Sequence, residues 1–123
     1  MAYLLVIDDE ADLRFVLQTY LSGQGHTVDT AENGKAGLRL TERNSYDLVI
    51  TDIVMPEMDG LEVITAIRQK MPHLSVIAMS GGSAKIDRSM LITTAHLMRA
   101  DRVIAKPLNL PELKDIINEV LAG

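Results

Sequence analysis

Asp8, Asp9, Asp52, Ser80 and Lys106 are the residues whose types could do chemistry together, and each follows a short apolar run. Asp8 and Asp9 come after the run from Tyr3 to Ile7, and Asp52 after Leu48 to Thr51. Ser80 comes after Val76 to Met79, and Lys106 after Val103 to Ala105, with Pro107 next. In a parallel α/β sheet the carboxyl ends of the strands lie along one edge, and ligands bind there. If these runs are strands of one such sheet, three carboxylates, a hydroxyl and an ammonium meet at that edge. Clustered carboxylates repel one another unless a cation joins them. An all-oxygen, anionic donor set favours Mg2+ or a similar hard cation over zinc. The cluster is suited to hold a metal ion and an anionic group together.

Each member alone has a plainer reading. An acid after a strand commonly caps the next helix. Ser80 before Gly81 and Gly82 serves a turn, and Lys106 before Pro107 is a solvated lysine. Asp52 is harder to set aside, because a carboxylate at the end of a central apolar strand needs a partner or a role. The weight rests on the conjunction: four separate loops each deliver a suitable group to one edge.

Other chemistries drop out. His26, His73 and His96 do not stand at the ends of these strands, so Ser80 has no neighbouring base, which argues against a Ser-His-Asp hydrolase. No glycine-rich loop follows the first run, so nucleotide phosphates have no backbone cradle there. Phosphoryl chemistry on a carboxylate remains: aspartate is a competent nucleophile toward phosphorus, and Mg2+ with Lys106 would neutralise the phosphoryl oxygens.

The elements that must position these groups alternate regularly. Strands are expected near 3–8, 26–31, 47–52, 74–80 and 102–105. Leu13, Val16, Leu17, Tyr20 and Leu21 mark one face of a first helix, ended by Gly23 and Gly25. The second strand is diluted by polar residues and reads as an edge. The helix near 34–44 is weakened by Gly34 and Gly37. The third strand reads as central. Pro56 and Asp59-Gly60 give turn chemistry to the loop after it. A third helix carries Leu61, Ile64, Ile67, Arg68 and Met71 and stops at Pro72. A fourth is expected within 83–99. Asn109 caps the last helix, with Glu112 three residues on as in a capping box. Alternating strands and helices imply parallel βαβ units with right-handed crossovers.

The chain has 123 residues, 47% hydrophobic and 24% charged, which suits one globular domain. Its net charge of −5, from 12 Lys+Arg and 17 Asp+Glu, argues against a nucleic-acid-binding module. The absence of cysteine excludes disulfides, thiol catalysis and Cys-based zinc sites. The N-terminal residues form neither a signal peptide nor a membrane span, so a cytoplasmic location and a natural start at Met1 are expected.

Over its whole length the chain resembles the receiver domain of two-component response regulators, in the chemotaxis-regulator-like single-domain form. The resemblance rests on Asp8 and Asp9, on Asp52 with Met55-Pro56 and Met58-Asp59-Gly60 after it, on Ser80, and on Lys106-Pro107. It implies a flavodoxin-like, doubly wound (βα)5 fold, with a five-stranded parallel sheet in the order 2-1-3-4-5, as one domain over 1–123. It implies transfer of a phosphoryl group to Asp52 from a phosphohistidine on a sensor histidine kinase or histidine phosphotransfer protein. Asp9, Asp52 and the backbone carbonyl of Val54 are the implied Mg2+ ligands, with Asp8 acting through a bound water. Ser80 is implied to move onto the phosphoryl group and Lys106 to pair with it, and the Lys106–Pro107 bond is expected to be cis. Such a protein is no enzyme but a phosphoacceptor that assists its own phosphorylation and dephosphorylation. It signals by binding a downstream protein, without direct contact to nucleic acid or membrane.

Three positions depart from the family pattern. Val103 stands where an aromatic switch residue is usual, Val54 where a polar residue is frequent, and Gly82 where relatives carry a larger side chain. A relay intermediate that passes its phosphoryl group on shares every residue of this reading, as does a receiver cut from a larger regulator. The competing enzyme is a Mg2+-dependent phosphatase of the haloacid-dehalogenase kind, which needs a second carboxylate two residues after the nucleophile. Val54 stands there and transfers no proton.

Overall fold

Alternation in the first apolar run decides which layer each side chain enters. In β1 (Tyr3–Ile7), Leu4 and Val6 join one buried cluster while Leu5 and Ile7 join the other, across the sheet. The computed structural model describes residues 1–53, 55, 60–80, 96 and 99–123. After β1 come α1 (Ala11–Gly23), β2 (Thr27–Ala31), α2 (Gly34–Arg43), β3 (Leu48–Asp52) and α3 (Gly60–Lys70). They are followed by β4 (Ser75–Ser80), β5 (Arg102–Ala105) and α4 (Leu110–Ala122). The five strands form one sheet in the order β2-β1-β3-β4-β5, and every neighbouring pair is parallel. This is the flavodoxin-like order expected above. The helix expected within 83–99 lies outside the described residues apart from His96 and Arg99, and the turn residues 56–59 also lie outside them.

The central place of β3 follows from its composition, since all five of its residues are buried. On one side of the sheet Leu17 and Leu21 of α1 and Leu113, Ile116 and Ile117 of α4 close over Leu4, Val6, Leu48 and Ile50. On the other, Val63, Ile64 and Ile67 of α3 close over Leu5, Val49 and Val76. β2 is an edge strand, as its polar residues required. α2 forms despite its glycines because Gly37 is where the helix meets β1. A Cβ there would lie 2.8 Å from Ile7 Cγ1, so the residue that weakens the helix also lets it dock.

Helix ends follow their caps. Asn33 Oδ1 accepts from Ala36 N at 2.8 Å, and Asn109 Oδ1 accepts from Glu112 N at 2.9 Å. α1 keeps Gly23 as its last residue and is terminated by Gly25 at φ +94°, in the left-handed region. The sheet's amino-terminal pole is tied by polar groups. Arg68, on α3, donates from Nη1 to Leu74 O at 2.6 Å, from Nε to Arg99 O at 2.8 Å and from Nη2 to Asp101 Oδ2 at 3.1 Å. Tyr3 and Tyr46 both donate to Asp29 Oδ2, at 2.5 and 2.6 Å. His26 accepts from Ala2 N at 3.1 Å, a local structural role. Among the described residues no helix is long and apolar enough to cross a membrane.

Candidate functional site

Sheet register brings the strand ends together at the opposite, carboxyl edge. Asp8 is the first residue past β1, and its amide still donates to Ala31 O at 3.1 Å. Asp52 closes β3 in register with Met79, so Ser80 lies one residue further along β4. Ser80 is paired with Ala105, and its carbonyl accepts from Lys106 N at 2.9 Å. The Lys106–Pro107 bond that follows is cis.

The lysine is the electrostatic centre. Lys106 Nζ donates to Asp8 Oδ2 at 2.9 Å and to Asp52 Oδ2 at 3.2 Å, and lies 3.5 Å from Glu10 Oε1. Asp8 is 0% exposed and Asp52 only 4%, so these charges are taken from water and depend on one another. Burial pushes the Asp52 carboxyl above the usual carboxylate value; Asp8 and Asp9 push it further, against the opposing pull of Lys106. Burial alone would lower Lys106, but the Asp8 and Asp52 carboxylates outweigh it, and its pKa is raised. Asp8 Oδ1 is occupied by Glu10 N at 2.8 Å. Asp52 Oδ1 is buried and has no hydrogen-bond partner among the described residues. An orphaned carboxylate oxygen in such a place costs free energy unless something meets it.

The donor set fits a hard divalent cation. Asp8, Asp9 and Asp52 each offer one oxygen, all within 4.8 Å of one another. Neighbouring oxygens in a Mg2+ octahedron are about 3.0 Å apart, so the three carboxylates would draw closer together around an ion. Asp9 is exposed and supplies the open side. Ser80 is half-buried at its strand end, whereas Val103 is buried against the α2–α3 side of the sheet. The Val54 carbonyl, expected as a further ligand, lies outside the described residues.

Three contributors escaped the sequence reading. Glu10 touches Lys106, and its place beside two other acids was the only signal. Arg14 Nη1 donates to the Asp8 carbonyl at 2.7 Å from α1. Gly60 opens α3 directly beneath the end of β3: a Cβ there would lie against the Asp52 carbonyl oxygen and 2.7 Å from Ile53 Cα. The Asp-Gly pair signalled a turn, but not this close approach.

A cation-ready carboxylate cluster at the switch point of a 2-1-3-4-5 sheet defines a signalling-receiver type of molecule, and comparison with known proteins agrees. The family model of the response regulator receiver domain matches residues 4–118, and the chain belongs to that family. It is 34% identical over 119 residues to the probable transcriptional regulator ycf27 of Cyanidium caldarium, covering 97% of this chain and 46% of that protein. It is 30% identical to the response regulator SaeR of Staphylococcus aureus, covering 98% of this chain and 51% of that one. The chain thus spans about half the length of these curated relatives. Among solved structures it is similar to the response regulator TrrA of Thermotoga maritima, in complex with Mg2+-BeF. The TM-score is 0.81 and the identity 38%, with 98% of this chain and 99% of that chain covered. A receiver domain protein from Clostridium thermocellum gives a TM-score of 0.86 at 31% identity, covering 99% and 95% of the two chains.

Proposed function

We propose that the chain is a phosphorylatable signalling switch with Asp52 as phosphoacceptor. The observation that carries this is the state of the Asp52 carboxylate: Oδ2 is held by Lys106, while the buried Oδ1 has no partner among the described residues. In the proposed step Asp52 attacks the phosphorus of a phosphohistidine on a sensor histidine kinase or histidine phosphotransfer protein. A P–O bond forms, the P–N bond breaks, and the electron pair leaves with the imidazole. Asp9 and Asp52, with the Val54 carbonyl and support from Asp8, would hold Mg2+, which would supply charge neutralisation to the transferring group. Lys106 keeps the carboxylate ionised against burial and then pairs with the phosphoryl oxygens. The Ser80 hydroxyl binds the same group.

Output is by binding to a downstream protein. Val103 is stiff at χ1 and small, so coupling runs through the chain after Ser80 rather than through a swinging ring. The protein turns over no substrate of its own beyond this acylphosphate. Acetyl phosphate with Mg2+ should add one phosphoryl group, seen by intact mass. The addition should disappear in Asp52→Asn and on chelation of Mg2+; full phosphorylation of that variant would overturn the assignment.

A further inference from the structure

A groove of about 440 Å3 lies between α1 and α2, beside the edge strand, and neither Asp52 nor Lys106 lines it. It is lined by three arginines, Arg14, Arg39 and Arg43, with Glu32 the only acid among its lining residues. On a chain of net charge −5 this concentrates positive charge. Arg39 and Arg43 stand four apart on α2, where like charges on one helix face repel each other. Neither makes an ion pair or hydrogen bond among the described residues. Arg14 is half-buried and makes one bond, to the Asp8 carbonyl, out of the five donors a guanidinium carries. The three guanidinium groups thus share one concavity without an internal counter-charge for each.

We propose that this groove binds a small phosphate ester, with the arginines on the phosphate and the body of the ligand against Ala36 and Leu40. Planar guanidinium groups match phosphate oxygens two at a time. Glu32 selects the class: a carboxylate in the wall repels a bare anion but accepts from hydroxyl groups, so a sugar phosphate or nucleotide is favoured over inorganic phosphate. The groove also touches the acidic cluster through Asp8, whose carbonyl is held by Arg14 and whose amide by Ala31, another lining residue.

The test is an NMR titration of the full chain with ribose 5-phosphate, ADP and inorganic phosphate, in EDTA at physiological salt. Saturable shifts at the Arg14, Arg39 and Arg43 Nε–H signals are expected with at least one ester; whichever binds tighter identifies the body. The exposed double variant Arg39→Gln/Arg43→Gln should weaken binding at least tenfold while keeping the wild-type melting temperature. The proposal is overturned if neither ester saturates by 10 mM, or if inorganic phosphate binds as tightly as the esters. It is equally overturned if the double variant binds unchanged, or if the shifts centre on Lys106 and Ser80.

Discussion

Asp52 carries its charge at a cost set by its neighbours, and this makes the residue measurable. Without divalent cations, Asp52→Asn should be more stable than wild type at neutral pH by about 1–2 kcal/mol, because it removes one charge from a buried like-charged cluster. The folded carboxyl holds its proton more tightly than the unfolded one. As pH falls from Asp52's raised folded value toward the ordinary unfolded value, the fold takes up the proton first, and wild-type stability rises relative to the variant. The gap in urea stability should therefore close toward acid pH; a gap independent of pH would contradict the raised carboxyl. Mg2+ should relieve the same repulsion, raising stability by about 2.7 kcal/mol at a hundredfold excess over its dissociation constant. Thermal melts should show a smaller rise for Asp9→Asn. Asp8, Asp52 and Lys106 were legible in the sequence because each ends a strand, and parallel topology alone gathers strand ends. Glu10 and Arg14 were not, since their contacts depend on how the chain turns into α1 and on a guanidinium reaching back across that turn.

At the scale of elements, the site is as exact as the contact between α3 and the end of β3. A methyl group at Gly60 meets backbone on both sides, and backbone has nowhere to yield. Gly60→Ala should cost about 1–3 kcal/mol and should slow phosphoryl uptake from acetyl phosphate, because it displaces the peptide that carries Asp52. Gly23→Ala is the matched control: nothing lies within 4 Å of its Cβ, and helix propensity predicts a neutral or slightly stabilising change. Chemical denaturation of both variants separates close approach from glycine removal as such. The strand runs were readable because buried parallel strands are apolar on both faces, and the polar dilution of β2 identified the edge. Helix propensity understated α2, because Gly37 answers to its distance from Ile7, and a distance across layers is not written in local composition.

The whole molecule separates its chemistry from its fastening. The charged groups proposed to do chemistry lie at the carboxyl edge, while Arg68, Asp101, Asp29, Tyr3 and Tyr46 tie the amino edge. Arg68→Ala should lower global stability by about 2 kcal/mol yet leave the acetyl phosphate reaction rate unchanged, since no described contact of Arg68 reaches the site. A parallel loss of rate and stability would show the two poles to be coupled. The order of the sheet was recoverable from the family resemblance and the position of the weak strand, whereas this polar fastening was not, because it joins residues as distant as Tyr3 and Tyr46. The carboxylates are anchored to β1 and β3, each with a strand on both sides, but Lys106 is carried by β5, four residues long and, among the described residues, paired with β4 alone. Fraying at that margin would withdraw the ammonium while the acids stayed in place, and native-state hydrogen exchange should then find the amides of β5 opening at lower free energy than those of β3.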